Sequence, residues 1–293
     1  MKNIFKAING IKVLTNESLK KYTSFRIGGE AKYFIKIYDQ NALLKVMEII
    51  RRHRLKYLII GAGTNILFRD QGFNGVVLKL MGDFRRVINC KNRFVCGAGV
   101  LIKEFIDKAM RSGYGGVEFL AGIPGSLGGA VKGNAGAFGH SVSEVVKRVV
   151  ILDSNLKEKV IQQNRLMFKY RHSNIPEKAI ITAIEIHLKK SSRKIIERKI
   201  RYYLRARWER QPRGFSAGSF FKNPLPLSAG KLIEECGLKG MRVGGALVSK
   251  KHANFIMNYD NAKAKDVIRL MQVIRRKVKK MKGIDLEPEV RIL

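Results

Sequence analysis

"AGIPGSLGGAVKGNAGAFGH", residues 121–140, holds seven of the chain's 28 glycines and almost no side chain able to do chemistry. Glycine permits positive φ and lets another group come close to the backbone, so the stretch reads as a surface on which N–H groups at Gly122, Gly125, Gly128 and Gly129 reach a flat or phosphorylated ligand. A second glycine segment lies upstream in "IIGAGTNILFRDQGFNG", residues 59–75. There Gly61 and Gly63 follow a strand-like run, but Ile66 stands where the dinucleotide fingerprint needs its third glycine, so the Rossmann motif fails. Gly61 to Leu67 is then either an anion-binding nest or a tight structural turn. Two separate glycine segments suggest one extended ligand clamped from both sides.

Working outward, "AKYFIKIY" (31–38) alternates like a strand, "NALLKVMEIIRRHR" (41–54) has helical apolar spacing, and "YLIIGAG" (57–63) is a buried strand, giving a β-α-β unit. "GVVLKL" (75–80), "RFVCGAG" (93–99), "VVILD" (149–153) and "IITAIEIHL" (180–188) continue a strand-rich middle around a helical "LIKEFIDKAMRSG". Helical pattern follows at 193–210, 228–238 and 264–283, with a strand-like "ANFIMN" at 253–258. The class is α+β, and 293 residues suggest two or three domains.

With 45% hydrophobic and 9% aromatic residues the chain has the material for a packed core. Three cysteines, Cys90, Cys96 and Cys236, form no CxxC pair and argue against a disulfide framework or a cysteine-only zinc site. His140, His172, His187 and His252 have no ligand partners at metal spacing, so no metal is expected. "MKNIFKAINGIKVLTNESLKKY" lacks the apolar core of a signal peptide, and no long uncharged apolar run occurs, which points to a soluble cytoplasmic protein without a membrane anchor.

The net charge of +35 draws polyanions of any kind. Residues 189–213 carry eleven Lys/Arg and 275–282 carry six. Val267, Met271, Ile274, Val278 and Met281 recur at helical spacing, which leaves the second basic run on a solvated face. The alternative is a nucleic-acid surface. Neither basic segment shows an aromatic-interleaved stacking motif or a known binding module, so nucleic acid is not expected as a partner.

"YTSFRIGGEA" (22–31), the two glycine segments within "IIGAGTNILFRDQGFNGVV" and "GVEFLAGIPGSLGGAVKGNAGAFG", then "FKYRHSN" (168–174), "QPRGFSAGSFFKNP" (211–224), "AGKLIEECGLKG" (229–240), "VSKKHANFIMN" (248–258) and "LEPEVRIL" (286–293) run nearly end to end. Together they resemble the flavin-dependent UDP-N-acetylenolpyruvoylglucosamine reductase family of peptidoglycan synthesis, also called UDP-N-acetylmuramate dehydrogenases. The resemblance implies the FAD-binding fold of the vanillyl-alcohol oxidase type, with two α+β FAD subdomains (1–82 and 83–210) and a C-terminal α+β substrate-binding domain (211–293). The short spacing from Arg171 to Ser219 matches the shorter subtype, without a substrate-covering tyrosine loop.

The implied reaction is NADPH-dependent reduction of UDP-N-acetylglucosamine enolpyruvate to UDP-N-acetylmuramate through noncovalent FAD, by a monomeric enzyme. FAD would be held by Gly61, Ala62, Gly63, Thr64, Asn65, Ile66 and Leu67, by Ile123, Pro124, Gly125, Ser126, Gly128, Gly129 and Ala130, and by Arg207 and Arg291. In the catalytic set Ser219 matches the proton donor, Arg171 the arginine that steadies the developing enolate, and Glu289 the acidic partner. Tyr170, Arg210, Lys222 and Asn223 resemble residues that grip substrate or NADPH.

A serine hydroxyl is a weak acid, but an enolate is a strong base and needs only a donor within hydrogen-bond reach. Arg171 offers a permanent charge and forked donors. Read without the resemblance, these three are a loop serine, a surface arginine and a strand-end glutamate. A related oxidase of the same fold is a third reading, one that does not need "GSFFKNP" and "EPEVR" together. The chain departs from the family pattern in carrying "AKA" at 262–264, where a capping hydroxyl is usual, which should weaken that helix start by about 1 kcal/mol.

Overall fold

The computed structural model describes residues 4–293, so Met1 to Asn3, part of the stretch inspected for a targeting signal, lie outside the described residues. The chain forms two compact units: residues 4–15, Tyr33–Ala62 and Gly75–Ala206 in the first, and Asn16–Lys32, Gly63–Asn74 and Arg207–Leu293 in the second.

The first unit is built on a four-stranded and a five-stranded sheet. The four-stranded sheet runs Ile11–Ser18, Glu30–Ile37, Phe73–Leu80 and Tyr57–Ile59 in spatial order, with Tyr57 opposite Val76 in a parallel pairing. The helix Gln40–Arg52 starts where Asp39 Oδ1 accepts from Ala42 N at 2.8 Å, and it buries Ala42, Leu43, Val46, Met47 and Ile50, the stripe its apolar periodicity predicts. The five-stranded antiparallel sheet runs Glu158–Gln162, Val146–Leu152, Ile180–His187, Arg93–Gly97 and Val87–Cys90. Phe94 and Phe105 meet edge to face at 5.8 Å in the core of this unit.

The second unit has its own core of Phe25, Ile27, Leu67, Phe220, Phe221, Ile233, Ile256, Val267 and Ile274. Its sheet runs Phe215–Ser219, Phe255–Asn258, Ala246–Val248 and Arg242–Val243, accompanied by the helices Ala229–Glu235 and Ala264–Lys282. Val267, Met271, Ile274 and Val278 are buried as their spacing predicts, but Met281 is 54% exposed because the last turn runs past the end of the core.

The start of the helix Ala264–Lys282 corrects the expectation of a weak cap. Asp70 supplies one oxygen to Ala264 N at 2.8 Å and the other to Lys265 N at 3.0 Å, while Asp266 accepts from Lys263 N at 3.0 Å. The missing hydroxyl is replaced by a carboxylate 194 residues away in sequence, favourably placed against the helix dipole. No described helix is long and apolar enough to cross a membrane.

Candidate active site

In the first unit the two glycine segments converge on one hydroxyl. Ser126 accepts from Gly129 N at 3.3 Å, capping a short helix, Leu127–Lys132, inside the stretch that reads as loop in sequence. A β-carbon added at Gly61 would lie 2.3 Å from the same Ser126 Oγ. A side chain at 61 would push the Ser126 hydroxyl off the helix start that it caps.

The N–H groups at the heart of the stretch differ from expectation. Gly128 N donates to Ala98 O at 2.9 Å, Leu127 N to Val100 O at 2.8 Å and Ala130 N to Ser126 O at 2.9 Å, so these donors are used within the protein. A β-carbon at Gly128 would press on Ala98 at 2.9 Å. Glycine there serves packing. Gly122, Pro124 and Gly129 are the exposed residues of this part of the stretch. Lys79, which sequence reading did not single out, donates from Nζ to Gly61 O at 3.2 Å; burial, then the nearby Lys36 and Arg85 charges, lower its pKa.

The same glycine stretch carries Arg171. Lys169 and His172 exchange backbone hydrogen bonds of 3.0 and 3.1 Å, closing a tight turn with Tyr170 and Arg171 at its tip. Asn134 Nδ2 donates to Lys169 O at 3.0 Å, Ser173 Oγ donates to Lys132 O at 2.8 Å, and Arg171 Nη1 donates to Gly136 O at 3.1 Å. Arg171 sits at φ 55°, a left-handed conformation costly for a non-glycine residue and held here by those bonds. Its guanidinium lies 5.2 Å from the Tyr170 ring centroid.

In the second unit three backbone segments form a continuous ribbon. Arg291–Ile292 pairs in parallel with Ile66–Leu67, Arg291 N donates to Asn65 O at 3.1 Å, and Asn65 Nδ2 donates to Glu289 O at 3.1 Å. On its other side the same tail meets the strand after Ser219: Glu289 N donates to Phe220 O at 2.8 Å and Lys222 N to Glu287 O at 2.9 Å. Ser219 and Glu289 thus stand on backbone segments bonded to each other, the second of them bonded in turn to Asn65. Gly63 turns that loop at φ 65°, where a β-carbon would fall 1.9 Å from Tyr22 O. Ser219 is half-buried, and its hydroxyl makes no hydrogen bond among the described residues.

Of the remaining candidates, Lys222 pairs with Glu287, and Asn223 Oδ1 accepts from Ala229 N at 3.1 Å, capping the helix Ala229–Glu235. Arg207 is half-buried near Gln211, while Arg210 and Arg291 are exposed. Two histidines do have acidic partners, His140 with Glu144 at 2.9 Å and His187 with Glu185 at 2.8 Å, but among the described residues no three potential metal ligands cluster. Burial lowers the pKa of His252 and pushes the Cys96 thiol up to about 12. The basic helix Arg193–Arg210 buries only Ile196 and exposes Tyr202 (66%) and Trp208 (51%), so aromatic rings do stand among its cations.

Residues 31–155 match the FAD binding domain family, and residues 211–293 match the family described as UDP-N-acetylenolpyruvoylglucosamine reductase, C-terminal domain. The UDP-N-acetylenolpyruvoylglucosamine reductase of Lachnoclostridium phytofermentans is 41% identical over 300 residues, covering 100% of this chain and 96% of its own. The one from Syntrophus aciditrophicus is 38% identical over 286 residues, covering 96% and 92%. The crystal structure of the UDP-N-acetylenolpyruvylglucosamine reductase from Thermus caldophilus is similar with a TM-score of 0.83 at 35% identity, covering 96% of this chain and 98% of that one.

Proposed function

The chain belongs to the UDP-N-acetylenolpyruvoylglucosamine reductase family, and on that premise we propose that it reduces the enolpyruvyl group of UDP-N-acetylglucosamine enolpyruvate to give UDP-N-acetylmuramate for peptidoglycan synthesis. The observation that carries this reading is the ribbon in which Asn65–Leu67, Glu289–Ile292 and Phe220–Lys222 pair side by side, presenting Ser219 and Glu289 beside a glycine-turned loop. FAD, when bound, supplies the hydride transfer from NADPH to the enolpyruvyl carbon. Gly61 to Leu67, Ile123 to Ala130, Arg207 and Arg291 are the proposed cofactor contacts.

The residues supply the rest. Once the double bond has accepted a hydride, the neighbouring carbon carries enolate charge and must take a proton. Ser219 Oγ is the proposed donor, with Glu289 as the acidic group from which the proton is replenished. Arg171 places a charge that cannot be lost against the enolate oxygen, and its fixed turn lowers the reorganisation needed when charge develops. Tyr170, Arg210, Lys222 and Asn223 are proposed to orient substrate and NADPH. The division 1–82, 83–210 and 211–293 is the proposed assignment of FAD and substrate domains. The enzyme is proposed to act as a cytoplasmic monomer in cell-wall biogenesis, and through it in cell shape and division.

The test is the absorption spectrum of the purified protein. Yellow protein that bleaches with NADPH and recolours with the enolpyruvyl sugar is the expected result; a protein that cannot take up FAD would overturn it. Acid precipitation should leave the colour in the supernatant, since the two glycine loops offer no His, Cys or Tyr for a covalent link.

A second reading is favoured by the exposed Tyr202 and Trp208 on the basic helix: a surface for single-stranded nucleic acid. Anisotropy of a labelled oligonucleotide at 0.05 and 0.2 M salt decides it, with no binding at the higher salt sinking this second reading.

A further inference from the structure

Asn254 is buried, with 3% exposure, and has no role in the site assigned above. Its side-chain amide grips one residue twice: Oδ1 accepts from Phe221 N at 2.9 Å and Nδ2 donates to Phe221 O at 2.8 Å. Its own carbonyl accepts from Phe220 N at 2.8 Å. Three bonds from one residue therefore fix the two residues that follow Ser219. Because the donor and acceptor ends of the amide each meet the complementary backbone group, only one orientation satisfies the pair.

The strand needs such a clamp. Before Ser219 its pairing with Phe255–Asn258 is irregular, with a register shift between Ser216 and Ser219 and Gly218 at φ 77°. Pairing resumes at Ser219, opposite Phe255, and directly after it Asn254 holds one edge of Phe220 and Phe221 while the Glu287–Glu289 tail holds the other. An apolar residue at 254 would keep the core filled but leave Phe221 N–H and C=O without their buried partners.

We propose that Asn254 is a positioning residue for Ser219, setting the place of the hydroxyl for proton transfer and taking no part in flavin reduction. The inference rests on the reductase reading. Displacing a reacting group by about 1 Å can cost on the order of 100-fold, so loosening the clamp should be felt in the proton-transfer step alone.

The experiment uses full-length, flavin-loaded protein carrying Asn254→Ala or Asn254→Asp, the latter keeping the acceptor for Phe221 N but losing the donor to Phe221 O. Amide hydrogen exchange across 219–222 should quicken. Bleaching by NADPH should stay within about two-fold of the parent, while recolouring by the enolpyruvyl sugar slows about ten-fold or more. The Asn254→Ala/Ser219→Ala double variant should recolour no more slowly than Ser219→Ala alone, because the first residue acts through the second.

Normal recolouring, equal slowing of both half-reactions, or additive slowing in the double variant would each overturn the proposal. Loss of flavin from both single variants would make Asn254 a folding residue and overturn it too. A parent protein that neither bleaches nor recolours would instead sink the reductase reading, a separate outcome.

Discussion

The glycine stretch at 121–140 and the ribbon around Ser219 are built in opposite ways. The first is closed by a single partner segment and by itself: Ile102 N reaches Gly125 O at 3.0 Å, Gly128 N reaches Ala98 O at 2.9 Å, and Ser126 caps its own helix. The second is assembled from segments far apart in sequence, with Asn65 bonded to Arg291 and Phe220 bonded to both Asn254 and Glu289. Absent side chains shape the first region, whereas placed backbone and one buried amide shape the second. Closure against one neighbouring segment leaves a run of bare backbone, and closure by several segments makes a point at which one hydroxyl is held.

The comparison breaks hardest at Gly63, the turn on which the ribbon depends. Gly63→Ala combines a left-handed backbone with a β-carbon 1.9 Å from Tyr22 O, a backbone atom that cannot swing aside. A loss of about 3 kcal/mol or more in urea unfolding is expected, together with failure to retain FAD. Unchanged stability and colour would mean that the loop relaxes freely.

Ser219→Ala should act on chemistry alone. Stopped-flow bleaching by NADPH is expected near the parent rate, and recolouring by the enolpyruvyl sugar should fall by about 100-fold, the scale of losing a positioned proton donor. Ser219→Cys should retain more, a thiol being the stronger acid. Normal recolouring in the alanine variant would remove Ser219 from the mechanism.

Gly128→Ala tests the packing role assigned to the first region. The added methyl meets Ala98 at 2.9 Å, so a destabilisation of about 1–3 kcal/mol is expected by thermal or urea melts. The doubly substituted Gly128→Ala/Ala98→Gly should recover part of it, and an absence of any recovery would place the strain elsewhere.

Two helix caps make a matched pair. Asp39→Ala removes a local cap and Asp70→Ala removes a distant one, each for about 1 kcal/mol. Only Asp70→Ala should also loosen the segment 63–74 in hydrogen exchange, since that cap joins two parts of the chain. Equal exchange in both variants would erase the distinction.

The smallest effect is a pH dependence. Burial holds the His252 imidazole neutral below its ordinary pKa of 6.5, so as pH falls the unfolded chain takes up the proton first. The contribution to stability is complete above the unfolded pKa and is lost as pH falls through the lower, folded one. In His252→Gln this part of the acid-side decline should vanish; an unchanged slope would assign it to other groups.

Much of the fold was legible because its signals are short-range. Apolar spacing placed Gln40–Arg52 and Ala264–Lys282, alternation placed Glu30–Ile37, and a run of β-branched residues placed Ile180–His187. The strands Ile11–Ser18, Val87–Cys90, Glu158–Gln162 and Ala246–Val248 carry no such signal, since the first three bury none of their residues fully and the last is only three residues long. The helix Leu127–Lys132 was hidden by Gly128 and Gly129, whose low helix propensity is overridden by the Ser126 cap and by packing on Ala98. For the site, motif resemblance nominated Ser219, Arg171 and Glu289, but nothing in the spacing of residues singled out Asn254, Lys79 or Asp70. Each of these acts through a partner outside its own turn or strand.

The sequence by itself determined the periodic elements, the places where side chains had to be absent, and a charge of +35. Those properties depend on a residue and its neighbours within a turn or a pleat. Only tertiary structure decided which carboxylate caps the helix at Ala264, which amide clamps Phe221, and that Gly128 is spent on packing. Such choices belong to pairs of segments brought together against loop-closure entropy, and their worth comes from satisfying buried backbone groups that carry no mark in the sequence of either partner.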